Sequence, residues 1–197
     1  MRQAHIVRAT NETDIDLTLT LLPPDRTGTF EGSSGIGFLD HMLAAVALHG
    51  HMNLLLRMTG DLYVDGHHSV EDLGIVFGTA FAEAAGDRAH LCRYGTAYIP
   101  MDESLSRCVL DISGRPYLVY DAKFDYPAIG TLETALIREF FYAFSMKSGV
   151  TLHICNLYGG NDHHKAESMF KAFARALGQA ACLRDGDALS TKGTLDA

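Results

Sequence analysis

The chain has 197 residues, of which 47% are hydrophobic and 20% charged, with a formal net charge of −8. That length supports a full hydrophobic core, as one large domain or two fused small ones. The acidic balance argues against nucleic acid or an anionic membrane as main partner and leaves room for divalent cations, while no apolar run approaches the ~20 residues of a membrane-spanning helix.

In chain order, Ala4 to Arg8 and Asp14 to Leu21 alternate as strands around a turn at Thr10–Thr13. Pro23–Gly28 and Gly32–Gly35 read as loops. Phe38 to His49 has helical apolar spacing and stops at Gly50. His51 to Met58 reads as a strand, and Gly60 to Asp65 continues extended. Then Val70, Leu73, Val76, Phe77, Ala80, Phe81 and Ala84 mark one face of a helix ending near Gly86. The second half repeats the order. Strands run over Arg93–Met101, Ser106–Ile112 and Tyr117–Lys123. A helix over Thr131–Lys147 places Leu132, Ala135, Leu136, Phe140 and Phe144 on its face. A strand covers Val150–Leu157, and a last helix runs to about Leu183.

Two near copies stand out: Asp65-Gly66-His67-His68-Ser69-Val70-Glu71 and Asn161-Asp162-His163-His164-Lys165-Ala166-Glu167. The offset between His67 and His163, His68 and His164, and Glu71 and Glu167 is constant at 163 − 67 = 96, and Phe77 meets Phe173 at the same offset. The expected fold is therefore α+β, built from two duplicated α/β units of strands-helix-strand-helix. Each is an open sheet covered on one face by two helices. The expected bounds are 1–90 and 91–187, followed by a substrate-binding tail over 188–197, in one compact domain.

On a helix, His at i and Glu at i+4 share a face, while neighbouring imidazoles diverge by about 100°. One motif can thus serve one metal with its His/Glu pair and a second with its other histidine. Imidazole with carboxylate suits Mn, Fe, Co, Ni or Zn rather than Mg or Ca. The earlier helix of each half should add a ligand: His41, oriented by Asp40, and its counterpart Glu139. The symmetry groups His41, His68, His163 and Glu167 on one metal, and Glu139, His67, Glu71 and His164 on the other. Arg93, Arg115, Lys171, Ser190 and Lys192 form a candidate phosphate set; alternatively, Glu167 and Lys171 are a surface pair and the tail a frayed end. Cys92, Cys108, Cys155 and Cys182 make no C-x-x-C pair, and no signal peptide is evident, which reads as reduced, mostly buried thiols in the cytoplasm.

These motifs stand in a familiar order: Phe38-Leu39-Asp40-His41-Met42-Leu43, Asp65 to Asp72, Gly114-Arg115-Pro116-Tyr117, Thr151-Leu152-His153-Ile154, His163 to Glu167 and Ser190-Thr191-Lys192-Gly193. Over nearly its whole length the chain resembles the imidazoleglycerol-phosphate dehydratases of histidine biosynthesis, in their single-function form. The resemblance implies two Mn ions per active site, other divalent transition metals being possible. It also implies a homo-oligomer, an octahedral 24-mer with active sites between subunits. It implies removal of water from imidazole glycerol phosphate, with substrate imidazolate bridging the metals, and Glu167 or Glu71 taking the carbon-bound proton. Glu12 matches a position near the substrate, and His49 is a further substrate candidate. The carried-over ligands are His41, His67, His68, Glu71, His163, His164 and Glu167. At the eighth position the family often reads Glu-His-Phe-Phe, whereas this chain has Arg138-Glu139-Phe140-Phe141. A two-metal phosphoesterase and a metal-assembled structural oligomer are the rival readings.

Overall fold

The computed structural model describes residues 2–186 and 188–191; Lys192 lies outside the described residues. The first half contributes β1 (Gln3–Ala9), β2 (Thr13–Leu21), β3 (Phe30–Ser33), α1 (Gly37–His49), β4 (Met52–Gly60) and α2 (His67–Ala85). The second contributes β5 (Tyr94–Met101), β6 (Ser104–Asp111), β7 (Tyr117–Asp121), a small hairpin of β8 (Ala128–Ile129) and β9 (Leu132–Glu133), α3 (Thr134–Ser148), β10 (Thr151–Tyr158) and α4 (Asp162–Ala181).

The duplication holds at the level of topology. The sheets are ordered β1-β2-β4-β3 and β5-β6-β10-β7. In each, the third strand pairs parallel to the fourth and the other neighbours are antiparallel. Strict alternation in β2 buries Ile15, Leu17 and Leu19 on one face. Helices cover that face in each half. α2 then packs on α3 and α1 on α4, so the helices lie between the two sheets.

The seam between halves is aromatic. Phe77, Phe81, Phe140, Phe141, Phe144, Phe170 and Phe173 are fully buried, and across the seam the Phe77 and Phe144 ring centroids are 5.3 Å apart. The apolar face read for α2 is buried throughout. Gly74 and Gly78 on that helix let α3 approach. A Cβ at these positions would lie 2.7 Å from the Phe140 carbonyl oxygen and 2.6 Å from that of Phe144.

Several local expectations change. Phe30–Ser33 pairs with β4 as a strand, so that Gly32, at φ 124°, and Ser33 are strand residues where a loop over Gly32–Gly35 was expected. Residues 61–65 are not extended: the Val64 amide donates to the Asp61 carbonyl, closing a turn. α3 starts at Thr134, after the small hairpin, and this rotates its face so that Ala135 is exposed while Ile137 and Phe141 enter the core. Arg93 precedes its strand at φ 72° rather than opening it. β7 ends at Asp121, and α4 ends at Ala181, after which Leu183 bridges to Leu91. The four cysteines are free, Cys108 and Cys155 buried and Cys92 and Cys182 half-buried. Among the described residues no helix is long and apolar enough to cross a membrane.

Candidate metal centre

Both His-His motifs open helices, as their spacing requires. Asn161 caps α4 by accepting from the His163 amide at 2.9 Å, and Asp65 accepts from the His67 amide at 2.8 Å. The adjacent imidazoles diverge, at 90° between the His67 and His68 rings and 86° between those of His163 and His164. The first histidine of each pair turns to its own i+4 glutamate. His163 Nε2 is 2.9 Å from Glu167 Oε2, and His67 Nε2 is 3.4 Å from Glu71 Oε2.

α1 brings His41 to the second motif. Its Nε2 lies 3.3 Å from Glu167 Oε2, and one ligand atom from each of His41, His163 and Glu167 lies within 4.8 Å of the others. Among the described residues this is the one such cluster. Phe38, one turn before His41, packs edge-on to the His163 ring at 5.0 Å. Asp40 does not orient His41: its carboxylate accepts from the Ser33 and Ser34 hydroxyls and the Ser34 amide, each at 2.6 Å, and so holds the loop before α1. Glu167 is buried, which pushes its carboxyl up, but the Lys171 ammonium and the His163 imidazole outweigh burial and hold it at about 2. Two imidazoles and an ionised carboxylate form a donor set that fits a divalent transition metal.

The second histidine of each pair stands apart from this cluster. His68 Nδ1 is 3.0 Å from Asp61 Oδ2, and its Nε2 is 3.7 Å from Glu12 Oε1. His164 Nδ1 is 2.7 Å from Glu103 Oε2, and its Nε2 is 3.8 Å from Asp102 Oδ2. Glu103 also accepts from the Asn161 and Gly160 amides at 2.7 and 3.0 Å. With His164 contributing most, these bonds hold its carboxyl at about 2. Glu139 accepts from Arg138 at 2.9 Å. Within one chain, then, the expected sets come together as His41, His163, Glu167 and as His67, Glu71, without His68, His164 and Glu139. Asp61, Asp102 and Glu103 were not anticipated. Their partners are distant in sequence, and only the positions of Glu12 and Glu103 in equivalent hairpin turns hinted at them.

The candidate phosphate contacts divide into two groups. Lys171 pairs with Glu167, and the His49 imidazole is lowered by burial and then by facing Lys171 and Arg175. Arg175 extends this basic stripe one more turn and was also missed. Arg93 is buried and its fork is occupied: Nε and Nη2 donate to the Asp111 carboxylate at 2.7 and 3.0 Å, and Nη1 donates to the Leu189 carbonyl. It thereby holds the segment carrying Ser190. Arg115 is exposed in its turn.

A family model described as imidazoleglycerol-phosphate dehydratase matches residues 34–177. The chain is 52% identical over 198 residues to the imidazoleglycerol-phosphate dehydratase of Heliobacterium modesticaldum, covering 99% of this chain and 100% of that protein. Its structure is similar to that of imidazoleglycerol-phosphate dehydratase from Staphylococcus aureus, with a TM-score of 0.81 and 40% identity over 92% of this chain and 99% of that one. It is equally similar to the dehydratase from Pyrococcus furiosus in complex with (S)-C348, with a TM-score of 0.82 and 33% identity over 96% and 99%.

Proposed function

The chain belongs to the imidazoleglycerol-phosphate dehydratase family, and we propose how its residues divide the work of that hydro-lyase, which makes imidazole acetol phosphate and water from imidazole glycerol phosphate in histidine biosynthesis. The observation that carries the reading is the convergence of His41, His163 and Glu167, whose ligand atoms lie within 4.8 Å.

These three would hold one Mn ion or a similar divalent transition metal, and His67 and Glu71, with Glu139, would hold a second. His68 and His164 point away from both groups in their own chain. We read them as completing the sets of neighbouring copies, so that active sites form between subunits of an octahedral 24-mer. The outer face of the β5-β6-β10-β7 sheet supports an oligomer, since it exposes Tyr94, Tyr98, Tyr117 and Val119, an apolar surface fit to be covered. The four free thiols fit a reducing cytoplasm.

When bound, the two ions would supply positive charge that favours the deprotonated form of the substrate imidazole, and that ring would supply electron density for the elimination. The hydroxyl leaves the carbon next to the ring, a proton leaves the following carbon, and the enol becomes the ketone. The acceptor of that proton is Glu167, Glu71 or Glu12. Glu167 and Glu71 each face the first histidine of their own motif, at 2.9 and 3.4 Å, whereas Glu12 lies 3.7 Å from His68. Arg115, Lys171, Ser190 and Lys192 would hold the phosphate, with His49 behind Lys171, while Arg93, its fork occupied by Asp111 and the Leu189 carbonyl, would position the segment that carries Ser190.

Assay of imidazole acetol phosphate formation by the purified protein tests the reading. Activity lost in His163→Ala and Glu167→Gln, with no inorganic phosphate released, is expected. Full turnover by either variant would contradict the site, and released phosphate would favour a two-metal phosphoesterase.

A further inference from the structure

We propose that Asp61 and Glu103 are positioning residues that fix the ring orientation and tautomer of His68 and His164, presenting Nε2 of each as the metal-binding nitrogen. The inference rests on the reading of the two motifs as metal ligands. In both rings Nδ1 is already engaged by a carboxylate oxygen, at 3.0 Å from Asp61 and 2.7 Å from Glu103. A carboxylate only accepts, so Nδ1 carries the hydrogen and Nε2 keeps its lone pair. This carboxylate–histidine arrangement is the one that orients metal-bound imidazoles.

Two features separate this from incidental pairing. First, the acceptors are themselves held. Glu103 is anchored by the Gly160 and Asn161 amides, at the mouth of the helix that carries His164. Asp61 is mostly buried, with its side chain 12% exposed, its amide donates to the Glu12 carbonyl, and its Oδ1 has no protein partner, so the His68 ring is what engages the carboxylate. Second, the halves supply the carboxylate from non-equivalent places. Asp61 follows Gly60 at the end of β4, whereas the equivalent strand β10 is followed by Gly159 and Gly160, and Glu103 comes instead from the β5–β6 turn. The repeat geometry therefore does not impose the contact. The two halves reach the same Nδ1 arrangement by different routes.

Mn2+ binding to the full-length protein, followed by the electron paramagnetic resonance signal of the free ion, tests this. In Asp61→Ala and Glu103→Ala, affinity should fall about 10–100-fold. Asp61→Asn and Glu103→Gln keep an acceptor oxygen and should recover part of that loss. The 15N spectrum of histidine-labelled metal-free protein should show two rings protonated at Nδ1, and one of them should redistribute in each alanine variant. Lowered thermal stability with unchanged Mn2+ affinity and unchanged tautomers would make the carboxylates merely structural and overturn the proposal alone. A wild-type protein that binds no Mn2+ would overturn the proposal together with the reading on which it rests.

Discussion

His41 and Glu167 are 126 positions apart, yet His41 Nε2 lies 3.3 Å from Glu167 Oε2, across the packing of α1 on α4. The contact joins a residue of the first repeat to the motif of the second. Because the His41 side chain is 52% exposed, it adds little to the core. His41→Ala should therefore leave the melting temperature of the metal-free protein nearly unchanged while removing one of two bound Mn2+ ions. Metal content after dialysis, measured beside a thermal melt, checks both halves of this expectation.

Glu139 stands where symmetry calls for a counterpart of His41, and it is occupied by Arg138 at 2.9 Å. As a metal ligand it must leave that arginine. Glu139→Ala should then lose the ion held by His67 and Glu71 while the His41 cluster keeps its own. Two ions retained per chain would mean that another group fills the eighth position.

Lys171 opposes burial at Glu167, whose carboxyl sits at about 2. With the folded value depressed below the ordinary ~4.3 of glutamate, the stabilisation is present above that value and is lost as pH falls towards 2. Lys171→Met leaves burial less opposed, so the carboxyl rises and protons compete with metal at higher pH. The acid limb of Mn2+ binding should move up in pH, while neutral affinity holds or increases because no ammonium faces the cation. An unmoved limb with a raised KM would make Lys171 a substrate contact alone.

Gly78 sets how closely α2 and α3 approach. A methyl group there meets the Phe144 carbonyl oxygen at 2.6 Å, and that atom cannot swing aside as a side chain would. Gly78→Ala should cost about 1–3 kcal/mol through displaced backbone. Calorimetric melting should show this as a lower melting temperature with metal stoichiometry intact.

The parts of this architecture that sequence periodicity carried are those governed by local rules. The constant offset of the His-His motifs predicted the duplicated units, and the apolar face of α2 was read residue by residue. Ala135 was misplaced because the β8–β9 hairpin shifts the start of α3, and no pattern marks two-residue strands. Phe30–Ser33 pairs as a strand because β4 offers it an edge, which is a tertiary effect. At the site, helix geometry accounts for why His67 and His163 face their own glutamates. It is silent on Asp61, Glu103 and the Asp111 grip on Arg93, since these contacts depend on how turns and strands meet in space.

Under the proposed function, metal held by the two motifs drives the dehydration. The most direct measurement is imidazole acetol phosphate formation by the purified protein before chelation, after chelator is added, and after Mn2+ is restored. Turnover that disappears with chelation and returns with Mn2+ is the predicted result. Full turnover in the presence of excess chelator, with the bound metal shown to be gone, would contradict it.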